Sequence, residues 1–488
     1  MTADGPLRRI DLRLSPDPAR VIARLFVPDE AMPGHHSRAR GILERVLELS
    51  DDEVTDALAD LRRRFSSRHR DLDGLFERHF ALVAPRLAAG EATPEPRRLL
   101  IGAYFTAEYA TEGAALTNPS MVDHPDQGGL APGQRRFVMS GRAVGEGHIS
   151  CIAFRTGVVD AGGNIEVDDP GPFLDVGESV PTSYRQGPFW AQLEQLGSAN
   201  ETAAYVFDRL PDPFDRPALD AAVGQIPARM RRFQPAQETI QWFEWIAANH
   251  YSVTFPREGR LDERVLAPVG PSETNGMEDA RFTRVVGEDD RASYVGTYTA
   301  YDGTHVVPQL IETDDFCTFR ISQLSGSAAK NKGMAMFPRR VGGQHLSLSR
   351  YDRERSSVTR SEDGLCWEEA VTVDKPLHPW ELIQAGNCGP PIETERGWLV
   401  LTHGVGPMRT YGLGALLLDL ENPSKVVAST EQPLLLPDDT ERDGYVPNVV
   451  YSCGGLRHGD LVVLPYGFGD QQISFVVLDL PRLLEQLR

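Results

Sequence analysis

Thr274-Asn275-Gly276-Met277-Glu278-Asp279-Ala280-Arg281-Phe282 is followed closely by the apolar run Ala292-Ser293-Tyr294-Val295-Gly296-Thr297-Tyr298-Thr299-Ala300-Tyr301. The second stretch is rich in β-branched and aromatic residues and predicts a strand. The first packs two carboxylates, an amide and a guanidinium between glycine-marked turns, where a rigid scaffold can hold them. Taken alone, an Asp–Arg ion pair closing a turn explains the cluster equally well. The surrounding chain decides between these readings.

Working outward, four other segments share the texture of Ser293 to Tyr301: Phe137 to Ala143, His345 to Tyr351, Trp398 to Gly404 and Leu461 to Gly467. Each opens with apolar residues and ends on a polar or aromatic residue beside a turn. Each is followed by a second β-like run: Ile149 to Phe154, Val306 to Ile311, Ser356 to Arg360, Leu413 to Leu420 and Ile473 to Leu480. After the first unit the spacing is about 50–65 residues, the period of propeller blades. The chain is therefore predicted to be mainly β, a five-bladed β-propeller over residues 101–488. A helical insertion at about 181–250, with Phe189 to Leu196 and Ala218 to Phe233 at helical periodicity, accounts for the long first gap. It reads as a lid, an oligomer contact or simply a packed decoration.

Residues 1–100 read as a helical N-terminal extension. Ser50-Asp51-Asp52-Glu53 has the pattern of a helix cap, and Val54, Leu58, Leu61 and Phe65 follow at helical spacing. A second helix is expected from about Asp71 to Leu87. The Arg62-Arg63-Arg64 run fits a solvated face better than a binding patch. The extension is expected to pack on the main domain or to serve as a homo-oligomer contact.

Composition narrows the function. The 488 residues can bury a large core, and 41% hydrophobic with 25% charged residues is ordinary for a soluble globular protein. A net charge of −20 argues against nucleic acid or an anionic membrane as partner, while leaving room for a local basic pocket. Cys151, Cys317, Cys366, Cys388 and Cys453 lie far apart with no metal-ligand spacing and are expected to be free thiols. Met1 to Pro6 lack a signal-peptide pattern and no apolar run approaches membrane-spanning length, so a cytoplasmic location is expected.

In a propeller, polar residues at blade strand ends converge on a central channel although far apart in sequence. That selects Arg142, Asp279 with Arg281, Arg350, His403 and Asp470, with Asn118, Lys330 and Lys332 near the same ends. Glu278, Tyr301 and Asp302, beside them, are further candidate substrate contacts. Breaking a glycosidic bond needs an acid for the leaving oxygen and a nucleophile on the other face. Water as nucleophile requires a second carboxylate; inorganic phosphate requires a cradle of Arg, Lys and His instead. Arg142, Lys332 and His403 are the right residue types for such a cradle. No P-loop, GxGxxG, HExxH or GxSxG pattern competes.

At these residues the chain resembles glycoside hydrolase family 130, the β-mannoside phosphorylases and related β-mannosidases. The resemblance rests on Asn118-Pro119, Gly276 to Arg281, Lys332 to Pro338, Gly397 to Gly404 and Tyr466-Gly467 with Asp470, in that order. It implies a five-bladed propeller that cleaves β-mannosides with inversion and needs no cofactor or metal, inorganic phosphate being the co-substrate. Asp279 would be the catalytic acid, passing its proton through a hydroxyl of the bound mannose. Arg142, Lys332 and His403 match positions tied to phosphate, and Asn118, Arg281 and Asp470 positions near the sugar. Ala280 stands where the family usually has proline. The expected reaction is phosphorolysis to α-mannose 1-phosphate. The alternatives are an inverting β-mannosidase, for which Glu146 beside the Arg142 strand is the candidate base, and a non-catalytic sugar-binding propeller.

Overall fold

The computed structural model describes residues 5–28, 37–87, 93–287 and 291–488. The chain divides into two compact units, one of residues 17–113 with 171–175 and one of residues 1–16, 114–170 and 176–488.

In the smaller unit, helices Arg38–Glu48, Asp51–Phe65, Leu72–Val83 and Glu95–Tyr104 enclose Leu43, Leu58, Phe76, Leu100 and Phe105. The cap read from sequence is a full capping box, with Ser50 and Glu53 each satisfying the other's backbone N–H. Strands Val21–Leu25 and Thr106–Ala110 pair antiparallel beside the helices.

The larger unit is built of antiparallel strands. One set runs Ala115–Asp123, Arg135–Val144, Ser150–Val159; a second runs Gly276–Val286, Ala292–Tyr301, Val306–Thr313, Thr318–Gln323. A single parallel pairing, Gly276 with Ser150, joins these two into one sheet. The third set is Ala335–Met336, His345–Ser349, Ser356–Ser361, Ala370–Asp374, and the fourth Gln384–Asn387, Gly397–Val405, Tyr411–Leu418, Val426–Ser429. The fifth is Val450–Tyr451, Leu461–Phe468, Gln472–Asp479. Every segment singled out by the repeat is the second strand of its set, paired with the β-like run that follows it.

Two expectations need correcting. Residues up to about 100 are not all helical: Leu7–Leu14 is a strand that pairs with Gln472–Asp479, so the first strand completes the last set. Its pattern was legible, since Ile10, Leu12 and Leu14 alternate with Asp11 and Arg13. Gly276 to Phe282 is not a turn ahead of a strand but the strand Gly276–Val286 itself.

The insertion is helical, with Gln186–Gln195, Glu201–Phe207, Arg216–Gly224, Ala228–Arg231 and Gln234–Ala248. It has its own core of Phe189, Phe207, Phe214 and Phe243. Gln192 Nε2 donates to the Gln323 carbonyl at 3.0 Å. The strand Tyr251–Thr254 that leaves the insertion pairs with Thr318–Gln323. The approach to Gly276 is fixed by Glu273, which accepts from the Tyr251 and Tyr298 hydroxyls and from the Val269 and Gly270 N–H groups. Burial raises the Glu273 pKa, and these four donors make its position tenable. Among the described residues no helix is long and apolar enough to cross a membrane.

Candidate active site

Adjacent side chains of a regular strand point to opposite faces, so Glu278 and Asp279 should diverge. A bulge prevents this. The pairing of Gly276–Val286 with its neighbour slips between Glu278 and Arg281, leaving Asp279 and Ala280 opposite Tyr298 alone. Asp279 takes φ 56°, a left-handed conformation that Asp and Asn adopt more readily than most residues. Strand Ala115–Asp123 carries a matching bulge between Thr117 and Ser120, with Asn118 at φ 49°. The two bulges meet: Asn118 Nδ2 donates to Asp279 Oδ1 at 2.6 Å, and the Phe282 N–H donates to Ser120 Oγ at 3.1 Å.

Arg281 braces this junction from below and is 1% exposed. Its Nη1 donates to the Asp279 carbonyl at 2.6 Å, Nε to the Cys388 carbonyl at 2.9 Å, and Nη2 to the Tyr451 hydroxyl at 2.9 Å. One side chain thus ties three strand sets together. The Asp279 carboxylate lies 3.8 Å from Nη2.

Glu278 gathers the other cations. Arg142 Nη2 lies 2.6 Å from its Oε1, and Lys332 Nζ is in contact with its Oε2. Burial works against charge on Arg142, but Glu278, Asp279 and Asp470 outweigh it and raise its pKa. Burial would likewise raise the Asp279 pKa, yet Arg281, Arg142, Lys332 and the Asn118 bond together hold it at about 2. In the ligand-free protein this carboxylate is ionised. Asp470 behaves oppositely: burial, reinforced by Asp279 and Glu278 and only partly offset by Arg142, lifts it to about 6.

His403 is fully buried, with its Nε2 facing Arg350 Nη1 at 2.7 Å and Gln384 Nε2 at 3.0 Å. Its ring meets that of Tyr451 edge-on at 4.8 Å between centroids. Burial, Arg350 and Arg281 push its pKa well below the usual histidine range.

Asn118, Arg142, Glu278, Asp279, Arg281, Lys332 and Asp470 therefore act on one another directly, and His403 joins them through Arg281 and Tyr451. Four of the sequence candidates stand outside this network, among them Lys330, which is exposed. Glu146 is exposed in the turn beyond the Arg142 strand. Asp302 accepts from the Thr304 and His305 N–H groups within its own turn, and the Tyr301 hydroxyl donates to the Gly303 carbonyl. Sequence reasoning missed Tyr451, Gln384 and Asn387. They carry neither charge nor motif, and only the pairing of their strands brings them to Arg281, His403 and Gly333.

Residues 253–488 match the family model described as beta-1,4-mannooligosaccharide phosphorylase. Over 232 residues the chain is 32% identical to a 1,2-beta-oligomannan phosphorylase of Thermoanaerobacter sp. (strain X514), covering 45% of this chain and 74% of that protein. Over 233 residues it is 33% identical to a beta-1,2-mannobiose phosphorylase of the same organism, covering 45% and 72%. A beta-1,2-mannobiose phosphorylase of Listeria innocua serovar 6a is 31% identical over 237 residues, covering 46% and 64%. Asn118 and Arg142 lie outside the segment matched by the family model and are joined to Asp279 and Glu278 by the fold alone. The chain belongs to glycoside hydrolase family 130, the family of the beta-1,4-mannooligosaccharide phosphorylases.

Proposed function

We propose that this protein cleaves β-linked manno-oligosaccharides by phosphorolysis, with inversion, to α-mannose 1-phosphate. The β-1,2 linkage, named for three of its relatives, is the first candidate. The larger unit is read as a five-bladed β-propeller, a reading supported by the five antiparallel strand sets and their shared order. The observation that carries the reaction is the convergence of Arg142 and Lys332 on Glu278, directly beside Asp279. Two cations held by one carboxylate can accept a phosphate dianion with little rearrangement.

A phosphate oxygen attacks the anomeric carbon from the face opposite the leaving group; the new C–O bond forms as the glycosidic bond breaks, and the β configuration becomes α. Hydrogen phosphate enters with one proton and leaves as a phosphate ester dianion, so that proton ends on the departing hydroxyl, with Asp279 as the acid at the leaving oxygen. An Asp279 ionised in the empty site fits this sequence. A bound dianion neutralises Arg142 and Lys332 and adds negative charge nearby, and both effects raise the proton affinity of Asp279. Asn118, Arg281 and Asp470 are read as holding the sugar and the acid in place.

The reverse reaction tests the proposal. With α-mannose 1-phosphate as donor, phosphate release is expected only when a mannose or manno-oligosaccharide acceptor is added. No phosphate release with or without acceptor, together with cleavage of β-mannobiose in the absence of phosphate, would mark the inverting hydrolase, which does not act on an α-phosphate.

One observation favours the hydrolytic alternative, namely that Asp470 is a further carboxylate that feels the charge of Asp279 and whose pKa is raised to about 6. Such a group could activate water. If it is instead a sugar contact, kcat/KM rises as Asp470 ionises through about pH 6, and Asp470→Asn removes that limb while leaving phosphate dependence intact. Stability supplies a second readout. A carboxyl whose folded pKa lies above its unfolded value contributes stability that is lost as pH rises through the folded value. Asp470→Asn is thus expected to be more stable than wild type at pH 8, by about 2 kcal/mol, and no more stable at pH 4. Thermal unfolding at the two pH values measures this; an equal shift at both would contradict the charge repulsion.

A further inference from the structure

Asp279 and Ala280, the two residues of one bulge, turn different ways. Ala280 joins a buried cluster with Met277, Phe282 and Tyr298, while Asp279 reaches Asn118. The ladder is interrupted at a bulge, so the shape of the backbone there rests on what packs behind it. Behind this one lies Tyr298, the residue opposite the bulge, which is 2% exposed.

The Tyr298 ring is fixed at its far end. Its hydroxyl is in hydrogen-bond contact with Glu273 Oε1. Glu273 in turn accepts from the Tyr251 hydroxyl at 2.9 Å and from the Val269 and Gly270 N–H groups at 2.8 and 2.9 Å. The next strand carries a second tie at the same level. Gln309, directly across from Tyr298, donates through Nε2 to Ser272 Oγ at 3.1 Å. Asn249 Oδ1 accepts from the Ser272 N–H at 3.1 Å and from the Ser272 hydroxyl at 2.8 Å. All of these side chains are buried. Ser272 and Glu273 belong to the short turn Pro271–Glu273, and Asn249 and Tyr251 directly follow Gln234–Ala248, the last helix of the insertion. The exit of the insertion therefore grips the turn, the turn grips two adjacent strands, and those strands back the bulge.

We propose that Tyr298 is a positioning residue for the acid: anchored through its hydroxyl on Glu273, it holds the bulge that aims Asp279 at the leaving oxygen, and the exit of the helical insertion, through Asn249 and Tyr251, fixes that anchor. This rests on Asp279 being the acid of the proposed reaction, and it gives the insertion a task in catalysis.

The test measures kcat and KM in phosphate on β-1,2-mannobiose and on an aryl β-mannoside whose phenolate leaves without a proton. Tyr298→Phe is expected to lower kcat on mannobiose by about 10-fold, part of what a misplaced catalytic group can cost, with the KM for mannobiose and for phosphate within about 3-fold of wild type. On the aryl mannoside the same variant should lose no more than about 3-fold. Ser272→Ala and Tyr251→Phe, one step further out, should show the same split at about 3-fold on mannobiose. Tyr294→Phe is the control, a buried tyrosine of the same strand whose hydroxyl bonds to Arg284, and it should leave the ratio of the two kcat values unchanged. Glu273→Gln keeps an acceptor for the two N–H groups and offers its amide to the hydroxyl oxygens, so it should stay within about 3-fold of wild type. Glu273→Leu removes every partner and should lose about 100-fold on mannobiose, with no further loss when Tyr298→Phe is added, because the tyrosine acts from that anchor. If Glu273→Leu does not fold, Tyr298→Phe against Tyr294→Phe decides alone. Undiminished kcat in Tyr298→Phe, equal losses on both substrates, or the same split in Tyr294→Phe overturns the proposal and leaves phosphorolysis standing. The predicted split in a protein that cleaves mannobiose equally well without phosphate overturns the phosphorolytic reading and leaves this one standing.

Discussion

Asp279→Asn is expected to lower kcat/KM for β-mannobiose by about 10²–10⁴-fold, the contribution of a well-placed general acid. The substitution is nearly isosteric, and asparagine tolerates the left-handed backbone at φ 56° as well as aspartate does. The bulge and the contact with Asn118 can therefore persist, through the amide oxygen in place of Oδ1. What is lost is the proton. The consequence depends on the leaving group: an activated aryl β-mannoside, whose phenolate departs without protonation, should lose far less than mannobiose. That split separates an acid from a residue that merely shapes the pocket. Equal losses on both substrates would remove Asp279 from the acid role, and near-normal activity on mannobiose would do so more directly.

Arg281→Leu is expected to lower the free energy of unfolding by roughly 3–5 kcal/mol, the cost of breaking a buried ion pair from one side. The leucine would fill much of the space but leave the Asp279 and Cys388 carbonyls and the Tyr451 hydroxyl without their donor, and the Asp279 carboxylate without its ion pair, in a fully buried site. Because Arg281 spans three strand sets, the loss falls on the packing of the sheets and not on one turn. Arg281→Lys keeps a charge near Asp279 but cannot reach all three acceptors at once, so an intermediate loss is expected. Urea unfolding measures both. A loss under about 1 kcal/mol for Arg281→Leu would mean that the brace is not carrying the junction.

The sequence made the sheet sets legible because each second strand is an unbroken apolar run with a partner run behind it, as in Trp398 to Gly404 followed by Leu413 to Leu420. It concealed the first strand of each set, which is short or interrupted: Ala335–Met336 and Val450–Tyr451 are two residues long, and Gly276–Val286 opens with charge. The site depends on those first strands. Adjacent carboxylates in a strand should face apart, and only the bulge at Asp279 and its counterpart at Asn118 turn them to a common center. Nothing in residue type distinguishes Asp279 on a bulge from Asp302 in a turn, and only the contacts separate them. The Leu7–Leu14 pairing with Gln472–Asp479 was hidden for a different reason. Its alternating pattern was present, but nothing local indicates a partner more than four hundred residues away.

Phosphorolysis is tested most directly by ³¹P and ¹H NMR of the purified protein with β-1,2-mannobiose in phosphate buffer, followed in time and repeated in sulfate buffer. The expected result is α-mannose 1-phosphate and mannose appearing in equal amounts in phosphate, with no cleavage in sulfate. Two mannose molecules formed per disaccharide at the same rate in both buffers would contradict it, and would turn attention to Asp470 as the base for water.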